Sequence, residues 1–192
     1  MNGNYLSNAG IFLVDFIFGL YILAVILRFL LQFVRADFYN PLAQAIVTIT
    51  NPPLRPLRRI IPALRTLDTS SLVLMLILQI ISTFLIFLLQ GIAPNILGLV
   101  VTAIGELLGT TFYVFIFAIL IQVIASWIAP GSYNPILGIV ESLTAPLMRP
   151  ARRLIPPVGG LDLAPMVAMV ALTLGLMLIV APIKDFGRVL IA

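Results

Sequence analysis

The segment PPLRPLRRIIP occupies residues 52–62, and a near copy, APLMRPARRLIPP, occupies residues 145–157. When the sequence is aligned with itself at an offset of 94 residues, the Tyr-Asn-Pro of residues 39–41 falls on residues 133–135, and the arginines of the two segments coincide. A long match at one fixed offset indicates a duplicated structural unit. We therefore predict two repeats, residues 1–94 and 95–192, with the same order of elements.

Composition indicates the medium in which these repeats fold. The 192-residue chain is 61% hydrophobic and 9% charged, with a mean hydropathy of +1.18, whereas soluble domains carry about 25% charged residues. Four windows reach the roughly 17–25 apolar residues that a helix needs to cross a bilayer: residues 11–34, 72–92, 112–129 and 166–183. The expected fold is an all-α integral membrane protein, with four transmembrane helices arranged as two parallel repeats of two.

The segment before the third window is also apolar. Residues 94–111 lie too close to residue 129 for two complete crossings and a turn. We expect them to form a short helix that lies against the outer face of the membrane.

The positions of the basic residues predict the orientation. Arginines collect between the two spans of each repeat, and the connection over residues 91–111 has none. Because basic loops are retained in the cytoplasm, both arginine-rich loops are expected there, with both termini on the outer side. Lys184 and Arg188, after the last window, oppose this assignment weakly.

An asparagine followed by a proline opens the loop region of each repeat. Asn40 precedes Pro41 and Asn134 precedes Pro135, the pattern of a helix N-cap followed by proline at the first helical position. Apolar residues then recur at helical spacing. Each repeat is therefore expected to contain an interfacial amphipathic helix of about three turns, ended by the prolines that follow.

The arginine-proline motif is predicted to form a separate rigid turn after that helix. Pro56 and Pro150 are placed where such a turn begins, and Pro62 and Pro156 where it ends. Its apolar side is expected to lie in the acyl boundary. The guanidinium groups would then lie at the depth of the lipid phosphates; they belong to Arg55, Arg58, Arg59, Arg149, Arg152 and Arg153.

Acidic residues follow each motif. Asp68 and Asp162 directly precede the second span of each repeat, so we predict that each caps that helix and is the counter-ion of a nearby arginine. A functional carboxylate is the alternative. Two further charges, Asp15 and Arg28, lie inside the first window. Both are near its ends, and Arg28 is expected to extend toward the interface.

The chemistry of the motif allows two interpretations. Arginine suits two-point contact with phosphate or carboxylate, which predicts binding of anionic lipid headgroups or of an acidic membrane partner. The alternative is that the arginines only determine topology. The net charge of +4 is explained by the loops and does not indicate a nucleic-acid partner. Since the chain has no His and no Cys, we expect neither a metal centre nor a cofactor ligated by them.

The two copies of FYNP or SYNP, of P-x-x-R-P-x-R-R-x-x-P and of the following LD closely resemble the YggT family, also called YlmG. The first copy departs from the second in having Ser71 in place of Pro165. The resemblance implies a small bacterial inner-membrane protein without established catalysis, linked to osmotic stress tolerance and to potassium uptake.

Two functions follow from these observations. The first is a non-catalytic membrane scaffold or assembly factor that binds anionic lipid or an unidentified membrane protein, with a second copy of the chain as a further candidate partner. The alternative is a component of a potassium channel or transporter, with Gln79, Gln90 and Gln122 along a polar path. An enzyme is not expected, because the chain lacks a His or Cys nucleophile system.

Overall fold

A computed structural model describes residues 5–61, 67–128, 134–156 and 162–191 of the chain. Pro62 of the predicted turns lies outside these ranges. Within them the chain forms seven α-helices and one π-helical turn, in the order α1 (Tyr5–Phe33), α2 (Pro41–Ile60), α3 (Thr69–Leu89), α4 (Ile96–Ile128), α5 (Pro135–Leu154), α6 (Ala164–Gly175), the π turn (Leu176–Val180) and α7 (Ala181–Ile191).

Four helices are long and apolar enough to cross a membrane. They are α1, α3, α4 and the unbroken run Ala164–Ile191, which comprises α6, the π turn and α7. The predicted four-span fold is therefore confirmed. Each repeat contributes two spans with one amphipathic helix between them, α2 in the first repeat and α5 in the second.

The amphipathic helices lie at one end of the four-helix bundle, where they contact each other. Each leads from the end of one span to the start of the next. At the opposite end, the Ser7 hydroxyl near the start of α1 donates to the carbonyl of Leu89 at the end of α3. There the side chain of Asn95 also donates to the carbonyl of Leu190. We call the end with α2 and α5 the arginine end.

The predicted pair of short helix and separate turn is wrong in both repeats. The motif belongs to one helix of 20 residues, which passes through Pro52, Pro53 and Pro56 in α2 and through Pro146 and Pro150 in α5. Each helix ends one residue before the extended Ile61 or Ile155, because a residue that precedes proline avoids helical geometry.

A neighbouring helix helps α2 to tolerate its prolines. Proline has no N–H, so Pro53 leaves the carbonyl of Ile49 without its partner four residues on. The hydroxyl of Tyr21 in α1 donates to this carbonyl at 3.3 Å. The second repeat has Leu147 at the position of Pro53 and Phe115 at that of Tyr21. The second repeat therefore keeps the backbone N–H at residue 147 and has no hydroxyl at residue 115.

The third span also differs from expectation. Residues 96–111 do not form a separate helix on the outer face, because α4 runs without a break from Ile96 to Ile128. At about 1.5 Å per residue, its 33 residues extend to about 50 Å. This exceeds the roughly 30 Å hydrocarbon thickness.

Helix α7 packs along the first turns of α4. A Cβ on Gly187 would lie 2.7 Å from the backbone nitrogen of Thr102, so the two backbones are in close contact. Lys184 of α7 forms a 2.6 Å ion pair with Glu106 of α4. One side of the apolar start of α4 is therefore covered by α7, while Ile96 and Leu97 stay exposed.

The apolar sides of α2 and α5 face the bundle more than the lipid. Leu54 and Met148 are buried in the core, with 0% and 2% of their surface exposed. Other apolar side chains of these helices are exposed, among them Ile49 and Ile60 in α2 and Ile136 and Leu154 in α5. The expected insertion of the apolar side of the motif into the acyl boundary is therefore wrong at Leu54 and Met148, because these side chains pack against the spans of the same chain.

Candidate functional site

The arginine end carries all six arginines of the duplicated motif, and all six side chains are exposed. Two of them are paired with an aspartate of the same repeat, Arg58 with Asp68 and Arg152 with Asp162. The other four form no ion pair with any described residue: Arg55, Arg59, Arg149 and Arg153.

The two helices that carry these arginines begin in the same way. The side chain of Asn40 accepts a 3.0 Å hydrogen bond from the N–H of Leu42, and that of Asn134 accepts one of 2.9 Å from Ile136. Both are N-caps with Pro41 or Pro135 next in sequence, as the pattern predicts. Asn40 also donates to the carbonyl of Pro135, which fixes one repeat against the other at this end.

Asp68 is the N-cap of α3 and is only 1% exposed. Its carboxylate is paired with Arg58 and accepts from the Ser71 hydroxyl at 2.7 Å and the Ser71 N–H at 3.4 Å. Burial by itself would raise the pKa of Asp68. The hydrogen bonds from Arg58 and Ser71 outweigh burial and hold this pKa below its usual value.

Asp162 pairs with Arg152, the counterpart of Arg58 in the second repeat, but it is not the N-cap of α6. It accepts from Nε of Arg152 at 2.9 Å and from the N–H of Ala164 at 3.0 Å. Pro165 stands where the first repeat has Ser71, and it offers neither a hydroxyl nor an N–H. The carboxylate is therefore held by fewer donors and its side chain is 32% exposed. The predicted counter-ion role is observed in both repeats. The predicted N-cap role is observed at Asp68 but is wrong at Asp162, because Leu163 is the N-cap of α6 and makes no side-chain capping bond.

Arg28 has a structural role that the sequence did not predict. Its side chain does not extend outward as expected, because it packs against the protein and only 4% of it is exposed. Its Nη1 donates to the Thr50 hydroxyl at 2.7 Å, the Asn51 side chain at 2.9 Å and the Val47 carbonyl at 3.1 Å. Arg28 therefore joins α1 to α2. Asp15, the other charge in α1, is exposed.

The second repeat makes the same connection without a charge. An offset of 94 residues places Gln122 on Arg28 and Thr144 on Thr50. The Thr144 hydroxyl donates to the side-chain oxygen of Gln122 at 2.7 Å. A threonine on the arginine-bearing helix thus bonds the preceding span in both repeats. Comparing the two copies at this offset is the sequence signal that could have identified Arg28 as the partner of Thr50.

Gln79 belongs to the polar path of the channel hypothesis. Its side chain donates to the Thr83 hydroxyl in its own helix at 3.3 Å.

Two crevices flank these connections and are related by the same offset. The first crevice, of 580 Å³, is lined by Arg28, Gln32, Phe38, Val47, Arg58 and Asp68. The second crevice, of 480 Å³, is lined by Gln122, Val123, Ser126, Trp127, Arg152, Asp162, Leu163, Pro165, Met166 and Met169. Four lining positions of the first crevice, those of Arg28, Gln32, Arg58 and Asp68, have their counterparts in the second.

The chemistry of these features is that of exposed cations. Exposed guanidinium groups on rigid helices suit phosphate or carboxylate oxygens. In the described ranges of the chain, no three acidic side chains are grouped closely enough to hold a metal ion.

The fold and the site together define a class: a helical membrane protein of two parallel repeats, each with an amphipathic arginine helix packed at one end of the bundle. The family model described as CCB3/YggT matches residues 7–89 and again residues 101–183, two matches offset by 94 residues. The chain belongs to the CCB3/YggT family. The boundary between repeats at residues 94 and 95 stays a prediction.

Several bacterial relatives cover most of the chain. An uncharacterised protein of Pseudomonas aeruginosa is 46% identical over 91% of this chain and 90% of its own length. The uncharacterised protein YggT of Escherichia coli K12 is 36% identical over 84% of each. An uncharacterised protein from the proC 3′ region of Vibrio alginolyticus is 40% identical over 86% of this chain and 90% of its own. No solved structure matches the chain.

Proposed function

We propose that this protein is a non-catalytic scaffold of the bacterial inner membrane, whose two arginine helices bind anionic lipid headgroups or an acidic face of a membrane partner. In this role it supports the cell envelope under osmotic stress. One observation carries the proposal: Arg55, Arg59, Arg149 and Arg153 are exposed together at one end of the bundle and form no ion pair among the described residues.

The rigidity of these helices favours binding over a simple topology signal. Lysines on a flexible loop would be enough to determine topology. Here arginines stand on helices whose buried sides, at Leu54 and Met148, are packed into the core, so less conformational entropy is lost on binding. Each cation near an anionic membrane contributes about 1 kcal/mol to the free energy of binding. Four unpaired cations therefore contribute substantially.

The distribution of cations favours a cytoplasmic position for the arginine end. That end carries the six arginines of the duplicated motif, whereas Lys184 and Arg188 lie near the other end. The positive-inside rule counts Lys and Arg and gives little weight to nearby acids. The larger number of cations at the arginine end therefore outweighs the two that oppose this orientation.

The test replaces the four unpaired arginines with glutamine and leaves Arg58 and Arg152 in place. Purified protein is reconstituted in nanodiscs of phosphatidylcholine containing graded amounts of phosphatidylglycerol or cardiolipin, and lipid enrichment around the protein is measured. We expect the variant to lose most of its preference for anionic lipid, and cells that carry it to survive osmotic shock less well than wild type.

The control is Arg188→Gln, which removes an exposed cation from the opposite end and is expected to change neither measurement. Equal lipid preference and equal survival in wild type and the four-glutamine variant, at equal amounts in the membrane, would show that the proposal is wrong. Loss of survival with unchanged lipid preference would favour the acidic partner.

A further inference from the structure

We propose that the first crevice is a binding site for a phosphate-bearing anion, held by the buried guanidinium group of Arg28. The site differs from the exposed arginine surface, since none of the four unpaired arginines lines it. The inference therefore stands or falls independently of the proposed function.

The charge of Arg28 is buried without a direct ion pair in the described part of the chain. The residue is 4% exposed and forms no ion pair with any described carboxylate. Its three hydrogen bonds go to neutral groups, the hydroxyl of Thr50, the amide of Asn51 and a backbone carbonyl. A buried charge without an opposite charge is costly, and in a membrane protein such a group usually marks a site.

The nearby carboxylate does not fill this role. Asp68 is already engaged by Arg58 and by the hydroxyl of Ser71. The first crevice thus contains two guanidinium groups and one carboxylate, and its net charge is +1. An anion from outside the protein would balance it.

The guanidinium nitrogens of Arg28 that make no hydrogen bond have the geometry for binding a phosphate. All three of its hydrogen bonds are made by Nη1, and no described residue accepts from Nε or Nη2. These two nitrogens form one edge of the planar guanidinium group, and such an edge donates two parallel hydrogen bonds to two oxygens of one phosphate. Arg28 lines the crevice, which has a volume of 580 Å³.

The depth of the crevice suits a lipid headgroup as well as a free anion. It lies where α1 approaches its end and where Asp68 caps the start of α3. The ends of membrane-spanning helices are at the level of the headgroups. Phosphate is the shared chemistry, so the experiment must separate a phospholipid from inorganic phosphate.

The second repeat is an internal control built into the chain. At the position of Arg28 it has Gln122, which accepts from Thr144. The charges in the second crevice, Arg152 and Asp162, balance each other. We therefore infer that only the first crevice binds the anion, although both have similar volumes.

The experiment compares wild type, Arg28→Gln and Gln122→Arg. Arg28→Gln gives the first repeat the residue that the second repeat carries beside its own threonine, and Gln122→Arg makes the opposite change. One arm counts the phosphatidylglycerol molecules that stay bound in native mass spectrometry, and a second measures thermal stabilisation by inorganic phosphate against chloride at equal ionic strength. Thr48→Val is the matched control, since Thr48 is exposed on α2 and lines neither crevice.

We expect Arg28→Gln to weaken the affinity for the anion by about tenfold or more. The loss would be seen as weaker retention of one phosphatidylglycerol or as weaker stabilisation by phosphate. Gln122→Arg should add a second binding event. A response in the first arm alone identifies a phospholipid, and one in the second arm alone identifies free phosphate. Equal binding by wild type and Arg28→Gln in both arms overturns the inference. If Arg28→Gln does not fold, the absence of any gain in Gln122→Arg overturns it.

Discussion

The hydroxyl of Tyr21 in α1 donates a hydrogen bond to the carbonyl of Ile49 in α2, at 3.3 Å. Ile49 is four residues before Pro53, so this carbonyl has no N–H partner in its own helix. The bond between α1 and α2 thus compensates for a proline inside a helix. In the second repeat, Phe115 and Leu147 replace Tyr21 and Pro53 together.

This relationship predicts a compensating pair of substitutions. Tyr21→Phe should lower the free energy of unfolding by about 1 kcal/mol, because a carbonyl loses its donor. In a Pro53→Leu background, the N–H of residue 53 reaches the same carbonyl, and the cost should fall close to zero. Thermal unfolding in detergent of the two single variants and the double variant measures the coupling. An additive result would contradict the explanation.

The two threonines at the contact between the spans and the arginine helices are expected to differ in energetic effect. Thr50→Val removes a 2.7 Å hydrogen bond from the charged Arg28 and should cost about 1.5–3 kcal/mol, the range for bonds to charged groups. Thr144→Val removes a bond to the neutral Gln122 and should cost about 1 kcal/mol. Thr48→Val, at an exposed position of α2, is the control with little effect. Chemical unfolding in mixed micelles gives all three values, and equal losses at residues 50 and 144 would contradict the assignment.

The two aspartates paired with arginines should also respond differently to neutralisation. Asp68→Asn breaks a contact with Arg58 at a carboxylate that is 1% exposed and should lower stability by about 1.5–3 kcal/mol. Asp162→Asn breaks a pair whose side chains are 47% and 32% exposed. Its cost should stay below about 1 kcal/mol. Both substitutions conserve size, so the comparison of their unfolding midpoints reports charge and hydrogen bonding. A larger loss at residue 162 would show that burial does not decide the difference.

Acid should destabilise the protein in part through Asp68. Hydrogen bonds hold its pKa in the folded protein below the usual value, so the unfolded chain binds the proton more readily. The stabilisation is present in full above the unfolded-state pKa of about 3.9, and it is lost as the pH falls through the lower folded-state pKa. Unfolding midpoints measured from pH 6 to pH 2.5 should fall more steeply in wild type than in Asp68→Asn. Parallel curves would contradict this assignment.

Close packing at the end opposite the arginines predicts a strict requirement for glycine. A Cβ at residue 187 would lie 2.7 Å from the backbone nitrogen and 3.0 Å from the Cα of Thr102, and backbone atoms cannot rotate away. Gly187→Ala should therefore cost about 1–3 kcal/mol. Gly19→Ala is the control, because a Cβ there meets nothing within 4 Å and alanine favours the helix. Destabilisation by both substitutions to the same extent would contradict this account of the contact between α4 and α7.

Accessibility can test the shared position of the two arginine helices, since the chain has no cysteine. Single cysteines in place of the exposed Arg59 and Arg153 should react with an impermeant maleimide from the same side of the membrane. A cysteine at Val189, exposed near the end of α7, should react from the opposite side. Labelling of residues 59 and 153 from different sides would contradict both the fold and the proposed function.

The sequence by itself determined the duplication, the four spans, both asparagine caps and the two aspartate-arginine pairs. These features depend on hydropathy, on residue order and on contacts between residues close in sequence, such as Arg58 and Asp68, ten positions apart. Tertiary structure decided the rest. The helix through Pro53 is supported by Tyr21 from another helix. One side of the start of α4 is covered by α7, with Glu106 paired to Lys184, 78 residues away. Arg28 is buried because α2 packs over it. That packing, which no local pattern predicts, leaves the cation without an ion pair among the described residues.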